Sequence, residues 1–388
     1  MERARVLRAF HTTLGFPSSS RLAGIFRKRA YDLPPERIFR HPVKELARQL
    51  AGRLGFERLT RHETGWASTD AVYRDLDALV ARRLLVSSDA ELNTVYCYED
   101  GAFATFLAAR ERGLQRCYEL PIGYWKAWDR IKQEEAVLNP AWATQFQAAK
   151  DSPQKLERKE HELEQADTIF VASSFVRDTL SLSSADPRKV QVIPYGFASR
   201  SAPPPMRDPR RSGPLRALFV GRIDQRKGIS YLFEAMETLR GKVTLSLAGP
   251  IVFRSPELER AIAPHRWLGV LPHSEVQAAM AAHDVLIFPS LFEGFGLVIT
   301  EAMAQGMAVI TTPHTAGPDL IEDGRDGFIV PIRSSRAIRD CLVRLLDEPA
   351  LLASVGETAQ AKAASQSWEA YAERVIDAIG AAPSMQRK

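Results

Sequence analysis

Residues 285–306 constrain the fold of this chain more than any other stretch of its sequence. Val285–Phe288 is a short, uninterrupted apolar run, which is typical of a strand buried in a parallel sheet. A Pro-Ser turn and two glycines come next, followed by a helix predicted to begin near Gly296 or Leu297 and to run to Gln305. The free N–H groups and the positive end of the helix dipole at such a junction favour an anion. The stretch therefore predicts an anion site beyond the end of a buried strand.

Two carboxylates flank this predicted anion site. Glu293 lies in the loop and Glu301 lies eight positions further along, in the helix. Carboxylates repel a phosphate but accept hydrogen bonds from vicinal hydroxyls, so a ligand that carries both phosphate and sugar fits. The alternative is the acid and nucleophile of a glycoside hydrolase, whose carboxyl groups lie about 5–5.5 Å apart in retaining enzymes. Eight residues of helix rise roughly 12 Å, and hydroxyl recognition is therefore favoured.

A second glycine turn, within residues 218–228, carries two cations. The sequence there is Leu-Phe-Val-Gly-Arg-Ile-Asp-Gln-Arg-Lys-Gly, and its first residues complete a predicted buried strand, Leu215–Val220. Gly221 would let the backbone approach a ligand closely. Arg222 offers a planar fork of donors and Lys227 a point charge, which together suit a diphosphate. The alternative is a basic surface loop.

Together the two motifs resemble the retaining glycosyltransferases of family 4, the glycosyl transferases group 1. Residues 293–301 are similar to the family's signature of two glutamates separated by seven residues, and residues 218–228 lie upstream in the expected order. The resemblance covers about residues 90–380 and is specific from about 215 to 331. It implies an α/β fold of the GT-B type, in which two Rossmann-like domains face each other across a cleft. A C-terminal helix would cross back to the N-terminal domain.

The resemblance also implies roles for residues of the second half. Glu293, Lys227 and Arg222 would be catalytic: Glu293 would accept hydrogen bonds from donor-sugar hydroxyls, and the two cations would stabilise the departing diphosphate. Glu301 would hold the ribose hydroxyls. The other implied donor-binding residues are Gly221, Gly294, Phe295, Gly296, Leu297, Val270 and Leu271. We expect metal-independent transfer, with no metal ligands and no cofactor beyond the nucleotide sugar as co-substrate.

The 388-residue length allows two domains, and alternating strand and helix patterns predict a parallel sheet. The predicted parts are an acceptor-side domain over 1–196, a linker over 197–214, a donor domain over 215–365 and a returning helix over 366–388. The linker is assigned from its five prolines and its low apolar content.

The first residues match the family least. Val6–His11 is predicted as a short strand and residues 14–20 as a loop, without the strand, glycine-rich loop and helix that open similar enzymes. The first β-α unit is therefore expected to be missing or replaced, through truncation or a divergent start. Residues 33–54 predict a turn and then an amphipathic helix. Its apolar positions are Val43, Leu46, Ala47 and Leu50.

Acceptor contacts are expected in residues 119–125, because ligands bind beyond the carboxyl ends of parallel strands and Arg116–Leu120 is a predicted strand. Similar enzymes often carry a histidine here, whereas this chain has Tyr118 and Glu119. Glu119 is interpreted either as a sugar contact or as an ordinary loop carboxylate. Tyr124 is interpreted either as part of an aromatic platform for the acceptor or as a packing residue.

The net charge of +5 is concentrated most at residues 207–211, within the linker. This cluster is either a solvated linker or a surface for anionic lipid headgroups. Nucleic acid is not expected, because no module interleaves aromatic and basic residues.

No apolar run approaches the roughly 20 residues that span a bilayer, and no signal peptide opens the chain. Three cysteines without metal-like spacing indicate reduced thiols, so a cytoplasmic protein is predicted, with peripheral association at the inner membrane face left open.

The predicted function is transfer of a sugar from a nucleotide-diphosphate sugar to an acceptor hydroxyl, in glycan, polysaccharide or glycolipid biosynthesis. The acceptor would be a glycan or a lipid-linked molecule. Two alternatives stay open: a non-catalytic nucleotide-sugar binding protein, and a related GT-B phosphorylase or epimerase. The sequence predicts neither the donor sugar and base nor the oligomeric state.

Overall fold

The computed structural model of this protein describes residues 6–20, 29–146, 150–197 and 213–381. The strands are β1 (Phe10–Thr12), β2 (Phe16–Pro17), β3 (Ala30–Tyr31), β4 (Ile38–Arg40), β5 (Thr94–Tyr98), β6 (Gln115–Leu120), β7 (Thr168–Val171), β8 (Val190–Val192), β9 (Leu215–Val220), β10 (Val243–Ala248), β11 (Arg266–Trp267), β12 (Val285–Phe288), β13 (Ala308–Thr311) and β14 (Phe328–Ile329). The α-helices are α1 (Val43–Leu54), α2 (Glu57–Thr60), α3 (Thr69–Val86), α4 (Phe103–Glu111), α5 (Trp125–Leu138), α6 (Pro153–Gln165), α7 (Ser174–Thr179), α8 (Ile229–Glu237), α9 (Pro256–Ile262), α10 (His273–Ala282), α11 (Leu297–Ala304), α12 (Gly317–Leu320), α13 (Ser335–Asp347), α14 (Pro349–Ala364) and α15 (Trp368–Ala381). Short 3-10 helices cover Pro35–Arg37, Pro140–Phe146, Leu180–Leu182, Pro187–Lys189 and Gln225–Lys227.

A parallel sheet forms the centre of the first half, with its strands in the sequential order β5-β6-β7-β8. Two small parallel pairs, β1 with β4 and β2 with β3, lie outside this sheet. The predicted strand Val6–His11 is therefore shifted: it covers Phe10–Thr12. The reason is its partner, because strand hydrogen bonds form only where Phe10 stands opposite Ile38 and Thr12 opposite Arg40.

Helix α1 turns its apolar side outward. Val43 is 67% exposed and Leu50 is 56% exposed, whereas Glu45 is buried. The Glu45 carboxylate accepts hydrogen bonds from Arg48 of the same helix (2.8 Å) and from Arg29 (2.9 Å), and the Arg29 contact joins the polar side of the helix to the rest of the protein. The predicted helix is therefore present, with its apolar positions left on the surface.

The second half is built on a larger parallel sheet with the order β11-β10-β9-β12-β13-β14. Numbered from its own first strand, this order is 3-2-1-4-5-6, which is that of a Rossmann dinucleotide-binding sheet. The predicted strands Leu215–Val220, Val243–Ala248 and Val285–Phe288 have the predicted bounds. The predicted strand over residues 267–271 is instead a shorter one at Arg266–Trp267, where the two residues pair with Ser246 and Leu247 of β10.

Helix α15 packs against the first sheet, as predicted. Val375 lies in a buried cluster with Cys117, Phe170 and Ile193 of the first half. The Gln115 side-chain amide also donates to the carbonyl of residue 379 (3.2 Å). The protein therefore has the two-domain GT-B fold, and the chain end ties the two halves together.

Most of the predicted linker lies outside the described residues, which omit 198–212 and with them the basic cluster at 207–211. All three cysteines are free thiols. Within the described residues, no helix combines the length and the apolar character that crossing a bilayer requires.

Candidate functional site

The loops after β9 and β12 meet at the carboxyl edge of the second sheet. These two strands are neighbours, and the strand order reverses between them, which is where ligands of such sheets bind. The backbone N–H of Leu291 donates to the carbonyl of Arg226 (2.8 Å), and the Ser290 hydroxyl donates to the same carbonyl (3.3 Å). The two sequence motifs are therefore bound to each other in one site.

Lys227 and Glu293 form a buried ion pair across this site. The ammonium group also lies 4.7 Å from the ring centroid of Phe288, the last residue of β12. Two of the three predicted catalytic residues are thus brought together. Without a ligand they neutralise each other, and a bound diphosphate would compete with Glu293 for the lysine.

Burial lowers the pKa of the Lys227 ammonium to about 7, with Arg226 and Arg222 adding to the shift and Asp224 opposing it. The Glu293 carboxylate beside the ammonium opposes this shift, because it favours the charged form. Diphosphate binding also favours the charged form, so binding takes up a proton wherever the lysine is partly neutral.

We therefore expect the affinity for a nucleoside diphosphate sugar to fall as the pH rises above about 7, by up to about tenfold per pH unit. The probe is the diphosphate sugar because both of its phosphates stay ionised in this range. Calorimetric titrations between pH 6 and pH 9 measure the slope. Lys227→Arg should flatten it, since a guanidinium stays charged; equal slopes for both proteins would show that Lys227 is not the titrating group.

Arg222 lies just beyond β9, half-exposed, and pairs with Asp224 (Nε to Oδ2, 3.1 Å). The other carboxylate oxygen of Asp224 is buried and has no hydrogen-bond partner among the described residues. Sequence reasoning did not single out Asp224. The available signal was an acid between the two cations, three residues before Lys227; in the structure it is buried and pairs with Arg222.

The N-terminus of α11 forms the other wall of the site. Gly296 precedes the helix with a φ of 86°, a backbone conformation that favours glycine, and Leu297 begins the helix. The first N–H groups of a helix have no intrahelical partner, so they are available to an anion. Glu301 lies on this helix, 3.9 Å from His273, and burial raises the pKa of its carboxyl while His273 opposes the shift.

Gly294 stands where the two halves of the protein touch. A Cβ atom placed there would lie 1.8 Å from the carbonyl oxygen of Pro121, in the loop after β6. The carbonyl oxygen of Gly294 accepts a hydrogen bond from the Ser173 hydroxyl (2.6 Å), and Ser173 also caps α7. The sequence does not predict this contact between the halves, which positions the Glu293 loop.

The remaining predicted donor-side residues lie around the same edge. Gly221 directly follows β9. Phe295 is buried against Tyr195 of the first half, with ring centroids 5.0 Å apart. Val270 and Leu271 follow β11, and Val270 is 71% exposed, which leaves an apolar surface free at this edge.

The predicted acceptor-side residues are not open to a ligand. Glu119 is 1% exposed, and its carboxylate accepts hydrogen bonds from Tyr96 and from Tyr195 (2.6 Å). Burial raises the pKa of Glu119 to about 7, against the hydrogen bonds from Tyr195 and Tyr371. Tyr124 is also buried, and its hydroxyl donates to Glu160. Both placements favour the structural alternative, because tyrosines and a neighbouring helix already occupy these polar groups.

One described group of side chains in the first half could hold a metal ion. It consists of His62, Glu63 and Asp151, whose ligand atoms lie within 4.8 Å of one another. Asp151 is already paired with Lys155 (3.0 Å) and Lys159 (3.4 Å), so a cation there would displace two ammonium groups.

One Asp-x-Asp sequence, a pattern associated with metal binding, occurs at residues 75–77 of α3. Its two acids are engaged separately. Asp77 accepts from the backbone N–H groups of Ala104 and Thr105 at the start of α4, whereas Asp75 pairs with Lys44. Neither acidic set belongs to the loops after β9 and β12.

Comparison with known proteins shows what the second half is similar to. Residues 214–348 match the family model described as "Glycosyl transferases group 1". This part of the chain is therefore similar to the group 1 glycosyltransferases. The match begins at β9 and includes both loops of the site.

Curated relatives are similar to this chain over a longer region than the family model covers. The chain is 26% identical to glycogen synthase of Mycobacterium tuberculosis over 248 residues, which cover 60% of each protein. It is 29% identical to D-inositol 3-phosphate glycosyltransferase of Corynebacterium glutamicum over 252 residues, 58% of this chain and 60% of that protein. The matched region thus spans less than two thirds of these relatives.

Among solved structures, HepE of Anabaena in complex with UDP and glucose matches 96% of this chain and 99% of its own, with a TM-score of 0.61 and 18% identity. At this identity the likeness shows the fold alone. The region that matches the family model therefore lies within a GT-B fold.

Proposed function

We propose that this protein is a retaining, metal-independent hexosyltransferase that moves a sugar from a nucleoside diphosphate sugar to an acceptor hydroxyl. Its role would lie in glycan, polysaccharide or glycolipid biosynthesis, and the acceptor would be a glycan or a lipid-linked molecule. The observation that carries the proposal is the meeting of Lys227 and Glu293 at the switch point of a Rossmann sheet, beside the tip of α11.

The site suits a reaction in which a diphosphate departs. The bond between the anomeric carbon and the diphosphate oxygen breaks, and its electron pair stays on the diphosphate. Lys227, Arg222 and the α11 N–H groups stabilise that charge, which is the larger part of the catalysis expected here. The acceptor hydroxyl oxygen then bonds to the anomeric carbon, and its proton passes to the diphosphate.

The two glutamates hold hydroxyl groups on either side of the diphosphate. Once the lysine turns to the phosphates, the Glu293 carboxylate accepts from the sugar hydroxyls. Glu301, four residues into α11, accepts from the ribose hydroxyls. Contact between the halves at Gly294 and Pro121 excludes water, which would otherwise compete as an acceptor.

The proposal is tested by a thermal-shift screen of uridine, guanosine and adenosine diphosphate sugars, followed by product analysis. UDP and glucose are natural first choices, since HepE was crystallised with both. We expect one donor to raise the melting temperature and to yield a glycosylated product with the anomeric configuration of the donor. A product of opposite configuration would contradict retention, and dependence on an added divalent metal would contradict metal independence.

The two alternatives give different products. A phosphorylase forms a sugar phosphate from a glycan and phosphate, and an epimerase changes the sugar of the donor without an acceptor. A non-catalytic binder would show the thermal shift without transfer or hydrolysis. Incubations with donor alone, with donor and acceptor, and with glycan and phosphate separate these cases.

We further propose peripheral association with an anionic membrane through the α1 patch, which comprises Val43, Leu46, Leu50, Leu54 and Phe56. All five side chains are exposed on α1 and the turn after it. The exposed cations Arg53, Arg58 and Arg61 stand among and beside them. Apolar side chains beside cations match a surface of acyl chains and anionic headgroups. The lipid contact that the sequence suggested for residues 207–211 stays a separate prediction, because those residues lie outside the described part of the chain.

The double variant Leu50→Ser, Leu54→Ser should lose most of its binding to vesicles of phosphatidylglycerol and phosphatidylcholine. Removing two apolar contacts weakens insertion, and sedimentation with the vesicles measures it. The control is Val137→Ser, which removes an exposed side chain of α5 outside the patch. Equal sedimentation of all three proteins would contradict the membrane assignment. Concentration-dependent self-association that the double variant abolishes would instead identify a second copy as the occupant.

A further inference from the structure

Glu135 is a fully buried carboxylate of the first half whose main partners belong to the second half. It lies on α5 and is 0% exposed. Its oxygens accept hydrogen bonds from the Gln225 amide (2.9 Å), the Tyr231 hydroxyl (3.0 Å) and the Arg333 guanidinium (2.5 Å). A buried carboxylate is stable only while its donors are in place, so the seating of α5 and the position of these three side chains are linked.

Gln225 connects this cluster to the site. It begins the 3-10 turn Gln225–Lys227, two residues before the lysine. Its side chain also donates to the Ser230 hydroxyl (2.7 Å) and accepts from the Ser230 N–H (3.2 Å), while its carbonyl accepts from the N–H of Gly228 (2.9 Å). Both ends of the Gln225 side-chain amide and its backbone carbonyl are therefore hydrogen-bonded. A displacement of Glu135 would displace Gln225 and the turn that it begins.

Arg333 provides a second sign that the cluster is held under constraint. Its φ is 62°, which is uncommon for a residue other than glycine and costs on the order of 1 kcal/mol or more. Its guanidinium pairs with Glu135 and, 2.9 Å away, with Glu134. Such a backbone conformation persists where surrounding contacts require it. Here the contact is the ion pair between Arg333 and Glu135, which joins the two halves.

We propose that Glu135 is a positioning residue that holds the Gln225–Lys227 turn, and with it the Lys227 ammonium, in the geometry required for the departing diphosphate. The first half thereby controls the phosphate-binding side chain through α5, without touching the donor. This inference rests on the proposed function for its kinetic consequence, whereas its structural part stands on the contacts alone.

The test compares Glu135→Gln with Glu134→Gln. Both variants remove one charge from the same helix and from the same arginine. Only Glu135→Gln places a side-chain NH₂ group against the donors of Gln225 and Tyr231. Glu134 is partly exposed and pairs with Arg333 instead. We expect Glu135→Gln to lower kcat at least about tenfold, with a smaller change in donor KM, because Lys227 acts most on the transition state. Glu134→Gln should stay within about twofold of the natural protein.

A second readout does not depend on activity. Amide hydrogen exchange of residues 225–228 is measured in the unliganded natural protein and in both variants, and we expect faster exchange in Glu135→Gln alone. Equal exchange and equal kinetics in the two variants, with only a lower melting temperature for Glu135→Gln, would overturn the positioning role. If the natural protein transfers no sugar, the proposed function fails, and the exchange result still decides whether Glu135 positions the turn.

Discussion

Lys227→Ala should lose sugar transfer by about 100-fold or more, which corresponds to about 3 kcal/mol of transition-state stabilisation. The lysine is the cation that the structure buries beside Glu293 and against the Phe288 ring. Removing it leaves the departing diphosphate with Arg222 and the helix N-terminus only. It also leaves the Glu293 carboxylate facing the phosphates without a counter-charge. The measurement is kcat/KM with the donor found in the screen.

The matched control for this variant is Lys242→Ala. Lys242 is an exposed lysine of the same half, just before β10. We expect its kcat/KM to equal that of the natural protein within about twofold, since an isolated surface charge contributes little. Near-normal turnover of Lys227→Ala would contradict the diphosphate site, and a comparable loss in Lys242→Ala would point to a general effect of charge.

Gly294→Ala should lower transfer by about 100-fold and destabilise the protein by about 2 kcal/mol. The added methyl group would overlap the Pro121 carbonyl oxygen at 1.8 Å, and neither backbone can yield without moving a strand end. The loop that carries Glu293 must therefore shift away from the first half. Kinetics and thermal unfolding measure the two effects.

Gly52→Ala serves as the control for the methyl group itself. Gly52 lies inside α1, and nothing stands within 4 Å of the position its Cβ would take. Alanine is the better helix former, so this variant should be more stable by about 0.5–1 kcal/mol. If Gly294→Ala kept the stability and activity of the natural protein, the close contact between residue 294 and the Pro121 carbonyl would not be required in solution.

The sequence predicts the second half well because its signals are local. Val285–Phe288 is a strand, and α11 begins at Leu297, where the glycine loop ends, as predicted from the apolar run and the loop that follows. Glycine turns and buried strands each depend on a few neighbouring residues. The site residues Lys227 and Glu293 meet because both follow strands that are adjacent in a parallel sheet.

The first half is predicted less well, because its decisive contacts are distant in sequence. Glu135 lies 90 residues from Gln225 and 198 from Arg333 in the sequence. Hydrophobic periodicity reports only local structure and does not predict such a pairing. Helix periodicity identifies the apolar side of α1 but not the direction in which that side faces. Glu45, on the opposite side, is buried and is bound by Arg29 from outside the helix. Glu119 looked free for a ligand because the tyrosines that enclose it come from another strand, the end of the first half and the last helix.

The most direct test of this account is a crystal structure of the protein with the nucleoside diphosphate sugar that binds most tightly. We predict density for the diphosphate between the N-terminus of α11 and the side chains of Lys227 and Arg222. Glu301 should lie within hydrogen-bond distance of the ribose, and Glu293 should have left the lysine for the sugar. A donor bound elsewhere, with the Lys227–Glu293 pair still intact, would contradict the assignment of this site.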